Sequence, residues 1–119
     1  MQMIGVLTKD LSGKALNWVV WSVERGGVAP IPQAGNGGKV PEYTTDWSLG
    51  GPLRDKYNIT IEDFTHYCTA TLRGKVYYGC VPRGKSALEA ICRAVVDAML
   101  GCQVKVPAVL ISKDQASAA

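Results

Sequence analysis

Apolar positions recur along this chain at two spacings. Leu11, Ala15, Leu16, Trp18, Val19, Val20, Trp21 and Val23 fall three and four apart, a wide stripe that predicts a helix buried along one side. Thr8, Asp10 and Ser12 supply side-chain oxygens that can cap its start, and Gly26-Gly27 ends it near Arg25. A second helix is spelled more strongly: Ser86 followed three residues on by Glu89 forms a capping box, and Leu88, Ile91, Cys92, Val95 and Met99 repeat on one face until Gly101. Residues 2–7 (QMIGVL) and the alternating run CQVKVP, stopped by Pro107, read as short strands. HYCTATL and KVYYGCV, joined through Arg73-Gly74, predict a β-hairpin, with Cys68, Ala70 and Leu72 facing inward and Tyr67, Thr69 and Thr71 outward.

The intervening stretches lack periodicity. Residues 26–42 hold five glycines and three prolines, the composition of a long loop, functional or mobile. Gly50-Gly51-Pro52 predicts a turn, with one or two helical turns beginning at the proline in PLRDKY. The order strand, helix, loop, hairpin, helix, strand predicts an α+β fold: a single domain over 1–112, with an antiparallel or mixed sheet whose central hairpin is packed by two helices, and a flexible tail at 113–119.

Composition narrows the function classes. At 119 residues, 47% apolar and 19% charged, the chain holds one modest core. The net charge of +3 comes from scattered residues with no dense basic stripe, which argues against a protein that coats nucleic acid. No window is long and apolar enough to span a membrane, and the expectation is a soluble intracellular protein whose four cysteines are free, mostly buried thiols. Their spacing forms no C-x-x-C ligand pair, the single His66 has no metal-site or triad pattern beside it, and no G-x-S-x-G elbow or spaced carboxylate pair is present. The expectation is therefore no cofactor and no enzyme activity.

One stretch challenges that expectation. GCVPRGKS, residues 79–86, matches the phosphate-loop pattern G-x-x-x-x-G-K-[ST], with strand-like residues before it and a helix after it. A phosphate-loop fold is a parallel sheet in which later βα units supply the magnesium-binding carboxylate, yet only 33 residues follow Ser86. The match is expected to be coincidental. A smaller feature survives it, because Arg83, Gly84, Lys85 and Ser86 put two cations beside a helix start whose free N–H groups attract anions. Against it stands the plainer account in which Gly84 shapes a turn, Ser86 caps, and the cations face solvent. Trp18 and Trp21 share one side of the first helix, where core packing is the ordinary role and an aromatic wall for a base the sharper one. Asp46 and Trp47, before Gly50 and Gly51, form a second candidate recognition element.

Three segments together resemble the NinX-like family of small phage accessory proteins: LSGKALNWVVW, TTDWSLGGPL and SALEAICRAVVDAMLGCQVKVP. The specific part is the string Thr45-Asp46-Trp47 with Gly50-Gly51-Pro52-Leu53. Where the family reads G-P-T-P-L at the start of the last helix, this chain reads Arg83-Gly84-Lys85-Ser86-Ala87-Leu88, so Lys85 is not carried over as a family site, and residues 26–42 are longer than in relatives. The resemblance implies a dispensable phage protein in the cytoplasm of an infected bacterium, and no activity.

The leading expectation is a non-enzymatic protein that binds a small anionic, nucleotide-like ligand, for instance to sequester a host signalling nucleotide, through Asp46, Trp47, Gly50, Gly51 and Arg83 to Ser86. The alternative is a module that binds and redirects a host enzyme through the aromatic surface of the first helix or the Gly-rich loop. A nucleic-acid binder and a nucleotide hydrolase rank below these. A short edge strand permits a homo-oligomer without indicating one.

Overall fold

The computed structural model of the chain describes residues 3–27, 40–75, 77, 81–107 and 110. Among these residues it is a small α+β domain with three α-helices and two antiparallel sheets. Strand β1 (Met3–Leu7) pairs with β5 (Gln103–Pro107), matching Ile4 to Val106 and Val6 to Val104, which is the inward side of both alternating patterns. A 3-10 turn (Thr8–Asp10) leads into α1 (Gly13–Glu24), and α1 stops in a Schellman motif: Gly26 takes φ +75°, Gly27 N–H donates to Ser22 O and Gly26 N–H to Val23 O. Thr8 does not cap this helix. Its N–H donates to Cys102 O and its hydroxyl to Gly101 O (2.7 Å), fixing the end of β1 to the turn that precedes β5.

Gly50-Gly51-Pro52 lies inside a helix, α2 (Trp47–Lys56), and not in a turn. The physical reason begins at Asp46, whose carboxylate accepts from Ser48 N–H at 2.9 Å and caps the helix five residues earlier than the proline alone suggests. Pro52 removes one N–H, and the carbonyl it deprives belongs to Ser48, a solvent-exposed residue. Gly50 is required by packing: a Cβ there would stand 2.4 Å from Tyr43 O and 2.7 Å from Leu88 Cδ2. At the other end, Glu24 of α1 accepts from Lys56 Nζ (3.0 Å) and Tyr57 Oη (2.7 Å), tying the C-terminal ends of α1 and α2 together. Burial and the Glu24 carboxylate push the Tyr57 phenol up to about 12.

The second sheet runs β2 (Ile59–Asp63), β3 (Cys68–Leu72), β4 (Arg83–Gly84), each neighbour antiparallel. The hairpin is thus formed by β3 with the strand before it, matching Ile59 to Leu72 and Ile61 to Ala70, and the expected return strand over 75–81 falls largely outside the described residues. Arg73-Gly74 still forms a turn, with Gly74 at φ +85°. Cys68, Ala70 and Leu72 do face the core.

Helix α3 (Ala87–Leu100) runs through the middle, packed on the second sheet and on α1 and α2. Leu88, Ile91, Cys92, Val95 and Val96 are buried on it, together with Leu16, Val19 and Val20 of α1. Burial pushes the Cys92 thiol up to about 12, so it stays a protonated packing group. The Ser86 half of the capping box is present, with Glu89 N–H donating to Ser86 Oγ at 3.2 Å, while the Glu89 carboxylate accepts from Lys85 N–H, one residue before the cap. Ser86→Ala should cost about 1 kcal/mol, read as a lower urea midpoint with unchanged slope; an unaltered midpoint would deny the cap its role.

Candidate functional site

Each residue singled out in the sequence has a definite place. Asp46 is exposed and accepts from both the N–H and the hydroxyl of Ser48, two bonds that hold its carboxyl below the usual range. The Trp47 indole is 56% exposed and lies back along α2 against Gly51, whose Cβ would stand 3.3 Å from Trp47 Cε3. Gly50 is buried against Leu88, so the first turns of α2 and α3 meet there as packing.

At the other stretch, Gly84 is buried flat against α3: an added Cβ would lie 2.4 Å from Ala90 N and 2.8 Å from Glu89 C. The Lys85 side chain is exposed, while its N–H donates to Glu89 Oε1 at 3.0 Å. A carboxylate of the chain itself therefore occupies part of the helix start that an anion would use. The strand entering this helix, β4, is antiparallel to β3, unlike the parallel strand of a phosphate-loop fold. The Arg83 guanidinium lies 4.8 Å from the centre of the Tyr67 ring.

Arg83 is also the residue that connects this stretch to an opening. A cleft of about 510 Å³ lies over α3, walled on one side by Leu7, Thr8, Lys9 and Cys102 from the end of the first sheet and on the other by Val81, Pro82 and Arg83 where the chain enters β4. Arg93 and Asp97 of α3 complete it. Arg93 is anchored: Nε donates to Leu11 O (2.9 Å), Nη1 donates to Arg83 O (2.8 Å) and pairs with Glu89 Oε1 (3.1 Å). Its Nη2 has no partner among the described residues. Asp97 pairs with Lys75 at 3.5 Å and Arg93 with Glu89 at 3.1 Å, which leaves Lys9 and Arg83 as the lining cations with no ion pair among the described residues.

The cleft therefore joins Arg83 to residues that motif reading passed over, and it excludes Asp46, Trp47, Gly50, Gly51, Lys85 and Ser86. A signal for α3's contribution was present, since Glu89, Arg93 and Asp97 stand four apart on the side away from the apolar stripe. Lys9 carried none. Trp18, offered as a surface for partners, is 3% exposed and belongs to the core, while Trp21 is half-buried beneath the Arg25 guanidinium.

Among the described residues no group of three or more His, Cys, Asp or Glu side chains is placed to hold a metal, and no helix is long and apolar enough to cross a membrane. No family model matches the chain, and no curated protein matches it.

Proposed function

We propose that this protein binds a small anionic, nucleotide-like ligand without transforming it, and that the cleft between the two sheets is where it does so. The observation that carries the reading is the pairing of apolar walls, Leu7, Val81 and Pro82, with Lys9, Arg83 and Arg93 in a space of about 510 Å³. Ligand pockets commonly have this size and this mixture, a mostly apolar lining with a few polar groups that fix orientation. Arg93 adds preorganisation, because two backbone carbonyls and Glu89 hold its guanidinium before any ligand arrives. The phosphate-loop spelling at 79–86 belongs to this reading as a coincidence, with Lys85 and Ser86 serving the helix start. The resemblance to NinX-like proteins adds a setting, the cytoplasm of an infected bacterium, in which the ligand would be a host nucleotide held out of circulation.

Calorimetric titration of the full chain with AMP, ATP, GTP and NAD tests the proposal. At least one should bind, Arg83→Ala should weaken it at least about tenfold, as expected for a lost charge-assisted contact, and Lys85→Ala should leave it unchanged. No heat with any of the four, or a loss confined to Lys85→Ala, would overturn the assignment.

A further inference from the structure

The cleft over α3 has a direction. Gly84 packs on Glu89 and Ala90, and Arg83 O accepts from Arg93 Nη1 at 2.8 Å, so the wall that leads back to Pro82 and Val81 runs antiparallel to α3, toward Asp97. The opposite wall does the same. Leu11 O accepts from Arg93 Nε at 2.9 Å while Thr8 Oγ1 donates to Gly101 O at 2.7 Å, which sets Leu7 and Thr8 beside the end of the helix, with Lys9 between the two anchors. Asp97 stands one turn beyond Arg93, about 6 Å along the axis. One end of the cleft therefore presents Arg83, with Lys9 along the way, and the other presents a carboxylate beside the apolar Leu7, Val81 and Pro82.

Among the described residues Asp97 is the one acid of the lining. Lys75 approaches its Oδ2 at 3.5 Å, beyond the roughly 2.7–2.9 Å of a close charge-assisted bond, and Oδ1 has no partner among the described residues. An ionised carboxylate accepts and cannot donate. The Watson–Crick edges of the bases differ sharply toward such a group. Guanine offers two adjacent donors, N1–H and N2–H, which match two carboxylate oxygens. Adenine and cytosine put a ring acceptor beside their one amino donor, and uracil sets its single N–H between two carbonyls, so each turns a lone pair toward the acid.

We propose that the ligand is a guanine nucleotide: its base lies between Leu7, Val81 and Pro82 with N1–H and N2–H donating to Asp97, and its phosphate lies on Arg83 and Lys9. This rests on the reading of the cleft as a nucleotide site. Lys75 has a part in it, since an ammonium near Oδ2 offsets the cost of holding a carboxylate beside apolar walls before the base arrives.

The test is calorimetry of the full chain with GMP, IMP, AMP and CMP. GMP should bind at least about tenfold more tightly than AMP or CMP, the discrimination of one good bidentate contact. IMP, which keeps N1–H and lacks the 2-amino group, should fall between. Asp97→Asn replaces one acceptor oxygen by a donor NH2 and should weaken GMP about tenfold while AMP keeps its wild-type affinity. That split distinguishes reading of the base from a structural role, because a loosened cleft would weaken GMP and AMP alike. Equal affinity of the wild-type protein for GMP, AMP and CMP, or an Asp97→Asn protein in which GMP loses no more than AMP, would overturn the guanine assignment while the cleft reading stands. A preference for AMP over GMP would overturn it in favour of an adenine site. Failure of all four to bind would remove both proposals together.

Discussion

Gly84→Ala should lower stability by about 3 kcal/mol or more, a drop of roughly 12 °C in melting temperature for a domain of this size. The conflict is between backbone and backbone. A methyl group on residue 84 would sit 2.4 Å from Ala90 N and 2.8 Å from Glu89 C, atoms of α3 that no side-chain rotation can move aside. Relief requires β4 to lift from α3, which also draws away the Arg83 carbonyl that Arg93 holds at 2.8 Å. Against a total stability of about 5–15 kcal/mol this is a large fraction. Gly27→Ala is the control, since that glycine is exposed with nothing within 4 Å of an added Cβ, and it should melt with wild type. A Gly84→Ala protein that also melts within about 2 °C of wild type would show that α3 yields at this point.

Arg93→Met comes next, at about 3 kcal/mol. Methionine keeps an unbranched stem but deletes the guanidinium that joins Leu11 O, Arg83 O and Glu89. The pair with Glu89, its side chains 15% and 17% exposed, is the weaker part, for pairs four apart on a helix contribute only about 0.3–0.5 kcal/mol. The two carbonyls matter more, because each loses a charge-assisted donor in a partly buried setting. Glu89→Gln separates the contributions: it should cost about 1 kcal/mol or less, while Arg93→Met costs several times that in urea unfolding. Equal losses in the two variants would mean that the tethers to Leu11 and Arg83 contribute nothing.

The α+β character and the two long helices were legible because α1 and α3 each bury a single stripe, and a buried stripe leaves a period of three and four in the chain. The caps were legible for a similar local reason, Ser86 with Glu89 at one helix and Gly26 after the other. Strand β2 was overlooked although Ile59 and Ile61 alternate with Thr60 and Glu62, because five residues of alternation compete poorly with the stronger turn signal of Arg73-Gly74. Gly50 and Gly51 were misread for a different reason. Two glycines and a proline break helices when only local terms count, and here Tyr43 and the sequence-distant Leu88 leave no room for a Cβ at Gly50, while Gly51 lies against the Trp47 ring. The candidate site was legible at Arg83 and, through the four-residue spacing of Glu89, Arg93 and Asp97, along α3. Lys9 reaches it through the pairing of β1 with β5, which no local window contains.

The pairing of β1 with β5 sets a timetable for synthesis. Met3 faces Pro107 across that ladder, so β1 waits for a strand made about a hundred residues after it. At about 5–20 residues per second the interval is on the order of 5–20 s, far longer than a helix or hairpin needs to form. During it the run MIGVL, with no charge or proline to discourage other strands, depends on whatever α1 and the incoming α3 can cover. A nascent chain stalled before residue 103 should therefore recruit chaperones strongly, and one stalled with residue 107 already outside the exit tunnel should release them.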